Sequence, residues 1–554
     1  MLFYLFLFTF YFVHPVVLGG LMTQQACIIQ QLSLDIHSKN IFDQLHFNLP
    51  IQQCTGLIGR NGQGKSLLMQ CLAQVSKFSF IGQINWQCPV AYLSQFNRLR
   101  GNTIAQVLDI EDLVAAFKRI ENNTASFQDY DLVEDKWHLP HEWQQQLEQA
   151  GLPLDLNFSV HLLSEGQKTK LALCRLFALK DHYLLLDEPS NHLDSTSRQW
   201  LISYLKAHTM GSLIISHDRL LLDEMQHILE FNEFGISHFS GNYTHYAKQS
   251  ALQRHALEQD IEQEKRQLKQ QVVQQHQILM KNQKRQASAN KKRKTGSQAK
   301  VILDFKREQA TQQSGQLIRQ QQRQLHQEQL SLCNKKQRLE TVKSQQFEFS
   351  SAVQKSGEIL RLANTPHPYL QNAHFNFSLQ PNEKIHLVGK NGSGKSTLLR
   401  ILSRDFSNEN HDSISLSRSL YLDQNFSFLD QQLSALENLM DLNPDQTAEF
   451  WRNLLGQLRL RGDKVLQPLS ELSGGEQLKV ALIAMAHPLN SIDLLLLDEP
   501  ENHLDIESRE LLAKAIQSFN GAIILVSHDD YFVKQCGIIH EVKIAALLNE
   551  RRAS

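Results

Sequence analysis

The chain has 554 residues, 42% of them apolar and 20% charged, with a formal net charge of −1. That is enough chain for two or three globular domains with real cores, and the balanced charge excludes a protein that coats nucleic acid with its whole surface, because phosphate binding needs clustered cations. The seven cysteines are odd in number and form no C-x-x-C pair, so they mark neither a disulfide framework nor a zinc site and fit reduced thiols in the cytoplasm.

Residues 1–21 are apolar and aromatic, with no Lys or Arg ahead of the run, unlike a secretory signal. About 20 apolar residues just span a bilayer, so a signal or membrane anchor is one reading. The other, carried forward here, is that the protein begins at Met22, where "TQQACIIQQLSLDI" reads as the first strand of a soluble domain. No other stretch of this kind occurs, which predicts no transmembrane domain.

An internal repeat organises the rest. "LIGRNGQGKS" at 57–66 recurs as "LVGKNGSGKS" at 387–396, each after an apolar run suited to a buried parallel strand. Both match G-x-x-x-x-G-K-[ST], whose glycines let backbone N–H groups wrap phosphates at a helix N-terminus. The nucleotide-binding candidates are Gly59, Asn61, Gly62, Gly64, Lys65, Ser66 and Leu67, and in the second copy Gly389, Asn391, Gly392, Gly394, Lys395, Ser396 and Thr397. Lys65 and Lys395 suit the β and γ phosphates, and Ser66 and Ser396 suit Mg²⁺. Leu67 stands where the second copy has Thr397, at little expected loss to the metal, since the hydroxyl of Ser66 is kept.

"LLSEGQKTKLAL" at 162–173 and "ELSGGEQLKVAL" at 471–482 each read as a Ser-Gly turn opening an amphipathic helix, a second anion site made of Ser164 and Gly166, and of Ser473, Gly474 and Gly475. Glu165 stands where the second copy has Gly474 and brings a carboxylate toward phosphate. "HYLLLDEPSNHLD" at 182–194 repeats as "DLLLLDEPENHLD" at 493–505. Four apolar residues running into Asp-Glu describe a buried strand that delivers two carboxylates where open α/β sheets place ligands. Asp187 and Asp498 suit Mg²⁺, and Glu188 and Glu499 suit the general base that activates water. Finally "SHD" follows an apolar strand in both halves, with His217 and His528 each 29 positions after its glutamate, a repeated unit suited to the γ phosphate.

This ordered set resembles an ATP-binding cassette, present twice over about 24–246 and 357–545. The resemblance implies that Gln95 in "AYLSQ" and Gln424 in "LYLDQ" also contact Mg²⁺. It implies too that the cassettes pair head to tail within a monomer, Lys65 sharing a nucleotide with Ser473 and Lys395 with Ser164. Within that superfamily the chain resembles the ABC-F proteins, twin cassettes acting on the ribosome: "NHLD" stands in both halves, "FSGNYTHY" (239–246) closes the first, and a charged helical segment joins them. An adenine-stacking aromatic is not assignable, although His37 and His367 fall in the right region.

The expected architecture is α/β: two P-loop cassettes joined by a long α-helical hairpin. The expected spans are a leader 1–21, a first cassette 22–247 with a short arm-like insertion near 108–150, a linker 248–351 and a second cassette 352–554. The linker lacks Pro and is dominated by Gln, Lys, Arg, Glu and Leu, the composition of exposed helices. Ile261, Leu268, Val272 and Leu279 form one stripe, and Ile318, Leu325, Leu332 and Leu339 another, as two packed helices of about 40 residues require. "SANKKRKTGSQ" (288–298) reads as the turn. Between Lys265 and Lys300 there are eleven Lys or Arg and no acidic residue. Lys284, Arg285, Lys291, Lys292, Arg293, Lys294 and Lys300 are therefore candidate RNA contacts, and the resemblance places them at the tRNA exit site, against P-site tRNA and ribosomal RNA. The expected function is a ribosome-bound ATPase using ATP and Mg²⁺. The alternatives are the ATPase subunit of a membrane transporter or a nucleic-acid repair ATPase.

Overall fold

The computed structural model describes residues 24–293 and 359–550, and parts of a helix between 320 and 339, apart from short stretches that include 37–38, 95–98, 192, 367–372, 390–392, 404–418, 424 and 503. The apolar leader, His37, His367, Gln95, Gln424, Asn391 and Gly392 therefore lie outside the described residues. Two compact units divide the chain, one formed chiefly by residues up to 238 and the other by residues from 239 onward. Among the described residues no helix is long and apolar enough to cross a membrane.

In the first unit, apolar runs with no polar alternation become strands buried on both faces. Cys54–Ile58 and Tyr183–Asp187 are buried at every position. They lie in a six-stranded sheet of order Val90–Leu93, Tyr183–Asp187, Ser212–Ile215, Cys54–Ile58, His227–Asn232, Gly235–Ser240; the pairings among the first five are all parallel. An antiparallel sheet of Lys39–Pro50, Gln25–Ile36 and Ile81–Trp86 contributes Ile29, Leu32 and Leu34 to the core shared with Leu57, Leu185 and Leu213.

The second unit repeats the order with Ser419–Leu422, Leu494–Asp498, Ala522–Val526, Lys384–Val388 and His540–Lys543, all parallel. Because every parallel strand ends on the same side, both phosphate loops, both Asp-Glu pairs and both His-bearing turns emerge at the C-terminal edge of their sheet.

The insertion of the first unit folds as three helices, Glu111–Glu121, Phe127–Val133 and Leu139–Ala150, around Val114, Phe117, Val133 and Trp143. The corresponding stretch of the second unit holds one helix, Ala448–Gln457, and a short 3₁₀ turn.

The first linker helix runs from Tyr243 to Arg293, 51 residues, roughly 75 Å at the α-helical rise. It is longer than the expected 40 residues and continues six residues into the stretch read as a turn. Ala, Lys and Arg there favour the helix more strongly than Ser288 and Asn290 oppose it. The rest of that stretch lies outside the described residues. Lys335 Nζ lies 2.5 Å from Glu264, and Gln271 Nε2 donates to Glu328 at 3.3 Å. A step of seven up one helix matches a step of seven down the other, so the helices run antiparallel. Ile261 and Leu332 are buried between them, whereas Val272 is exposed, so the apolar stripe is not sealed along its length.

Candidate active sites

Each phosphate loop turns directly into a helix, Lys65–Leu72 and Lys395–Ser403. Gly64 stands at φ +93°, and a Cβ there would meet Ile41 Cγ2 at 2.6 Å, so only glycine makes this turn without displacing its neighbour. Gly394 takes the same conformation at φ +94°. Lys65 and Lys395 are both buried. Lys395 Nζ donates to the Gly389 carbonyl at 2.7 Å, and burial pulls its ammonium below the ordinary lysine value. An ammonium held under-solvated on a carbonyl is poised to exchange that partner for phosphate oxygens.

Behind the second loop, Ser396 Oγ donates to Asp498 Oδ1 at 3.1 Å and Tyr421 Oη donates to Asp498 Oδ2 at 3.0 Å. Burial raises the Asp498 carboxyl against the opposing effect of these two bonds. A hydroxyl and a carboxylate side by side are hard oxygen donors that fit Mg²⁺ with a phosphate completing its shell. Among the described residues there is no group of three or more His, Cys, Asp or Glu that could hold a metal. In the first unit Asp187 is also buried, at the end of its strand.

The glutamates one residue on share a feature the sequence did not disclose. Glu188 has φ +50° and Glu499 φ +47°, left-handed backbone that is uncommon for a residue other than glycine. Each is pinned there by its own N–H, which donates to the next strand at Ile215 O and Val526 O, both at 2.9 Å. The turn aims each carboxylate at the neighbouring histidine: His217 Nε2 lies 3.4 Å from Glu188 Oε1, and His528 Nε2 lies 3.3 Å from Glu499 Oε1. Asn502 Nδ2 donates to the other Glu499 oxygen at 2.6 Å. Burial pushes the Glu499 carboxyl up, but the bonds from His528 and Asn502 and the charge of Lys395 outweigh it and hold the group below the ordinary glutamate value. It is thus ionised at neutral pH, as a proton acceptor must be.

The Ser-Gly turns open 13-residue helices, Glu165–Phe177 and Gly474–Ala486. Ser164 and Ser473 are their N-caps, in capping boxes with Gln167 and Glu476. Gly166, Gly474 and Gly475 lie in the first turns; a Cβ on Gly475 would come within 2.5 Å of Ser508 Oγ. Glu165 is exposed and pairs with Lys168 at 2.8 Å, which offsets the carboxylate expected to disfavour phosphate. Of the basic linker residues, Lys284, Arg285, Lys291, Lys292 and Arg293 lie on the first linker helix, and Lys294 and Lys300 fall outside the described residues.

Two contributors escaped the sequence reading although both lie inside quoted motifs. Tyr421 of "LYLDQ" bonds Asp498, and Glu501 of "DEPENHLD" is buried behind Glu499. Neither has a spacing rule of its own; each acts through a contact between neighbouring strands.

A family model described as ABC transporter matches residues 42–191 and 373–502, about half of the chain. The ribosome protection protein VmlR of Bacillus subtilis (strain 168) is 28% identical, the alignment covering 92% of this chain and 84% of that protein. ABC transporter F family member 5 of Arabidopsis thaliana is 30% identical over 69% of this chain and 51% of its own length. A solved structure of RNase-L Inhibitor superposes with a TM-score of 0.50 at 16% identity, covering 92% of this chain and 86% of that one, a likeness of fold. Twin P-loop sheets, each bringing a lysine, an aspartate and a Glu–His pair to one edge, are those of an ATPase, and the chain belongs to the ABC transporter family, in its ABC-F branch.

Proposed function

We propose that this chain is a ribosome-associated ATPase, a translation factor or ribosome-protection protein. In its ATP-bound form the basic linker reaches tRNA and ribosomal RNA near the tRNA exit site, and hydrolysis ends the engagement. The observation that carries the ATPase cycle is the Glu–His pair, built twice on the same left-handed turn. The likeness to a ribosome protection protein over 92% of the chain supports the target.

In each cassette Glu188 or Glu499 takes the proton of an attacking water as the water oxygen bonds to the γ phosphorus. The bond to the β–γ bridging oxygen breaks, leaving ADP and phosphate. Lys65 and Lys395 neutralise the phosphate oxygens, and His217 and His528 hold the glutamate toward the water and meet the γ phosphate. Mg²⁺ would supply positive charge against the phosphates. Ser66 and Asp187, with Gln95, would hold it in the first cassette, and Ser396 and Asp498, with Gln424, in the second. The signature turns at Ser164 and Ser473 add backbone donors for phosphate. The domains divide as 22–247, 248–351 and 352–554, and the protein works in the cytoplasm as a monomer. Along the linker, Lys284 to Arg293 supply salt-dependent attraction to phosphates.

The double variant E188Q/E499Q tests this. It is expected to bind ATP as before and to stay with ribosomes in sedimentation long after the wild type has left. Unchanged dissociation would refute the cycle. Replacing Lys291, Lys292 and Arg293 by Gln should weaken ribosome binding and flatten its salt dependence; binding with an unaltered salt slope would remove the linker from the contact.

A further inference from the structure

The two cassettes differ at one buried position beside the catalytic turn. In the first, Ser190 follows "DEP", and its Oγ lies 3.2 Å from Ser216 Oγ, which accepts the Asp218 N–H at 3.0 Å. In the second the position holds Glu501, only 3% exposed. Ser527 Oγ donates to Glu501 Oε1 and accepts the Asp529 N–H at 3.0 Å. Glu501 Oε2 is buried and has no hydrogen-bond partner among the described residues. Ser527 immediately precedes His528. A hydroxyl pair that cannot titrate has thus been replaced by a hydroxyl–carboxyl pair that can.

We propose that Glu501 is a positioning residue for hydrolysis in the second cassette, acting through Ser527 on the turn that carries His528, so that turnover at this site depends on the protonation of one buried carboxyl. The inference rests on the assignment of Glu499 and His528 as the hydrolytic pair. An ionised Glu501 accepts the Ser527 hydroxyl in a charge-assisted bond and leaves the serine oxygen to the Asp529 N–H, which fixes the turn. A protonated one is roughly half as strong an acceptor and leaves the hydroxyl free to rotate.

The groups around it set where that exchange falls. Arg509, from helix Ile506–Ser518, favours the ionised form; Asp529 and Cys536, at the two ends of helix Asp530–Gln535, face it from the other side. Arg509 Nη1 is itself drawn to Asp529 at 3.4 Å. From strand Lys384–Val388, His386 Nε2 donates to the Ser527 carbonyl at 3.0 Å. Burial dominates and lifts the Glu501 carboxyl to about 7, so the switch lies within the physiological range.

The test is steady-state ATPase of the full chain at saturating ATP and Mg²⁺ from pH 6 to pH 8, for wild type, E501Q and E501S, each carrying E188Q so that the second cassette alone turns over. The amide is isosteric with the protonated acid, and serine copies the first cassette; thermal melting confirms that both variants fold. The readout is the ratio of wild-type to E501Q kcat, which cancels titrations common to both. A group titrating near 7 raises that ratio by up to about tenfold between pH 6 and 8 when only the ionised form is competent, with KM for ATP unchanged and a flat profile for E501S. A ratio constant with pH, or a change confined to KM, overturns the proposal. E499Q run alongside distinguishes failure of the underlying assignment, which would appear as undiminished turnover.

Discussion

Tyr421→Phe removes one oxygen and nothing else, and the structure says what that oxygen does. Its hydroxyl donates at 3.0 Å to Asp498 Oδ2, while Ser396 holds Oδ1 at 3.1 Å. Asp498 is buried and its carboxyl is already raised by that burial. Without Tyr421 one carboxylate oxygen is left unbonded in a low-dielectric site, so the acid form gains and the metal-competent form loses. A hydrogen bond to a charged group is worth about 1.5–3 kcal/mol, which corresponds to a tenfold or greater fall in Mg²⁺-dependent turnover by the second cassette. Arg400 bonds the same hydroxyl from behind, so Arg400→Gln should show a weaker form of the defect. In the first cassette the corresponding tyrosine, Tyr92, meets Gln70, and Tyr92→Phe should cost less. The assay is an Mg²⁺ titration of steady-state ATPase at fixed ATP. With Y421F read in an E188Q background and Y92F in an E499Q background, so that one cassette turns over at a time, an apparent Mg²⁺ affinity and kcat for Y421F both within about twofold of its parent, or an equal defect in Y92F, would refute the reasoning.

Three further outcomes follow from the fold. Leu185→Ala and Leu496→Ala, in strands buried at every position, should each destabilise by about 2–5 kcal/mol in denaturant unfolding. The bond and charge of Arg119, with the Ser126 backbone, hold the Asp129 carboxyl well below its ordinary value. A depressed carboxyl contributes stability that is present above its unfolded pKa of about 4 and is lost as the pH falls toward the folded value. Proteolysis of the 111–150 insertion should therefore accelerate below about pH 4 and become pH-independent in Asp129→Asn. For the linker, Lys335→Glu should loosen the helix pair by setting two carboxylates against each other, and the swap Glu264→Lys with Lys335→Glu should restore it in a double-mutant cycle read by thermal unfolding.

The ATPase was legible because its parts are local and occur twice. The phosphate loops, Asp187 and Asp498, Glu188 and Glu499, and the two histidines each sit in a short motif at the end of an apolar run, and one parallel sheet topology carries all of them to the same edge. What stayed hidden depends on contacts between strands. Nothing in "LYLDQ" says that Tyr421 reaches Asp498 on the neighbouring strand, and nothing in "DEPENHLD" says that Glu501 points inward to Ser527 rather than out to solvent. The left-handed backbone of Glu188 and Glu499 was equally invisible, since glutamate carries no propensity for it. In the linker, composition announces helices, but the helix runs on through Ser288 and Asn290, and the heptad stripes do not fix which residue of one helix meets which of the other. Glu264 with Lys335 and Gln271 with Glu328 do that.

The repeat also conceals an inequality that the side chains expose. The second cassette surrounds Asp498 with Ser396 and Tyr421, the latter backed by Arg400, and sets the titratable Glu501 behind Glu499. The first has Gln70 and Ser190 in the places of Arg400 and Glu501, and its Glu188–His217 pair is the more deeply buried of the two. One site thus sets a carboxyl lifted to about 7 behind its glutamate, where the other has a serine that does not titrate. Single variants should then be unequal: E499Q should remove the pH-sensitive part of the turnover and leave a flat residue, whereas E188Q should leave a profile as steep as the wild type or steeper. Superimposable profiles from the two variants would mean that the cassettes are equivalent in chemistry despite their different side chains.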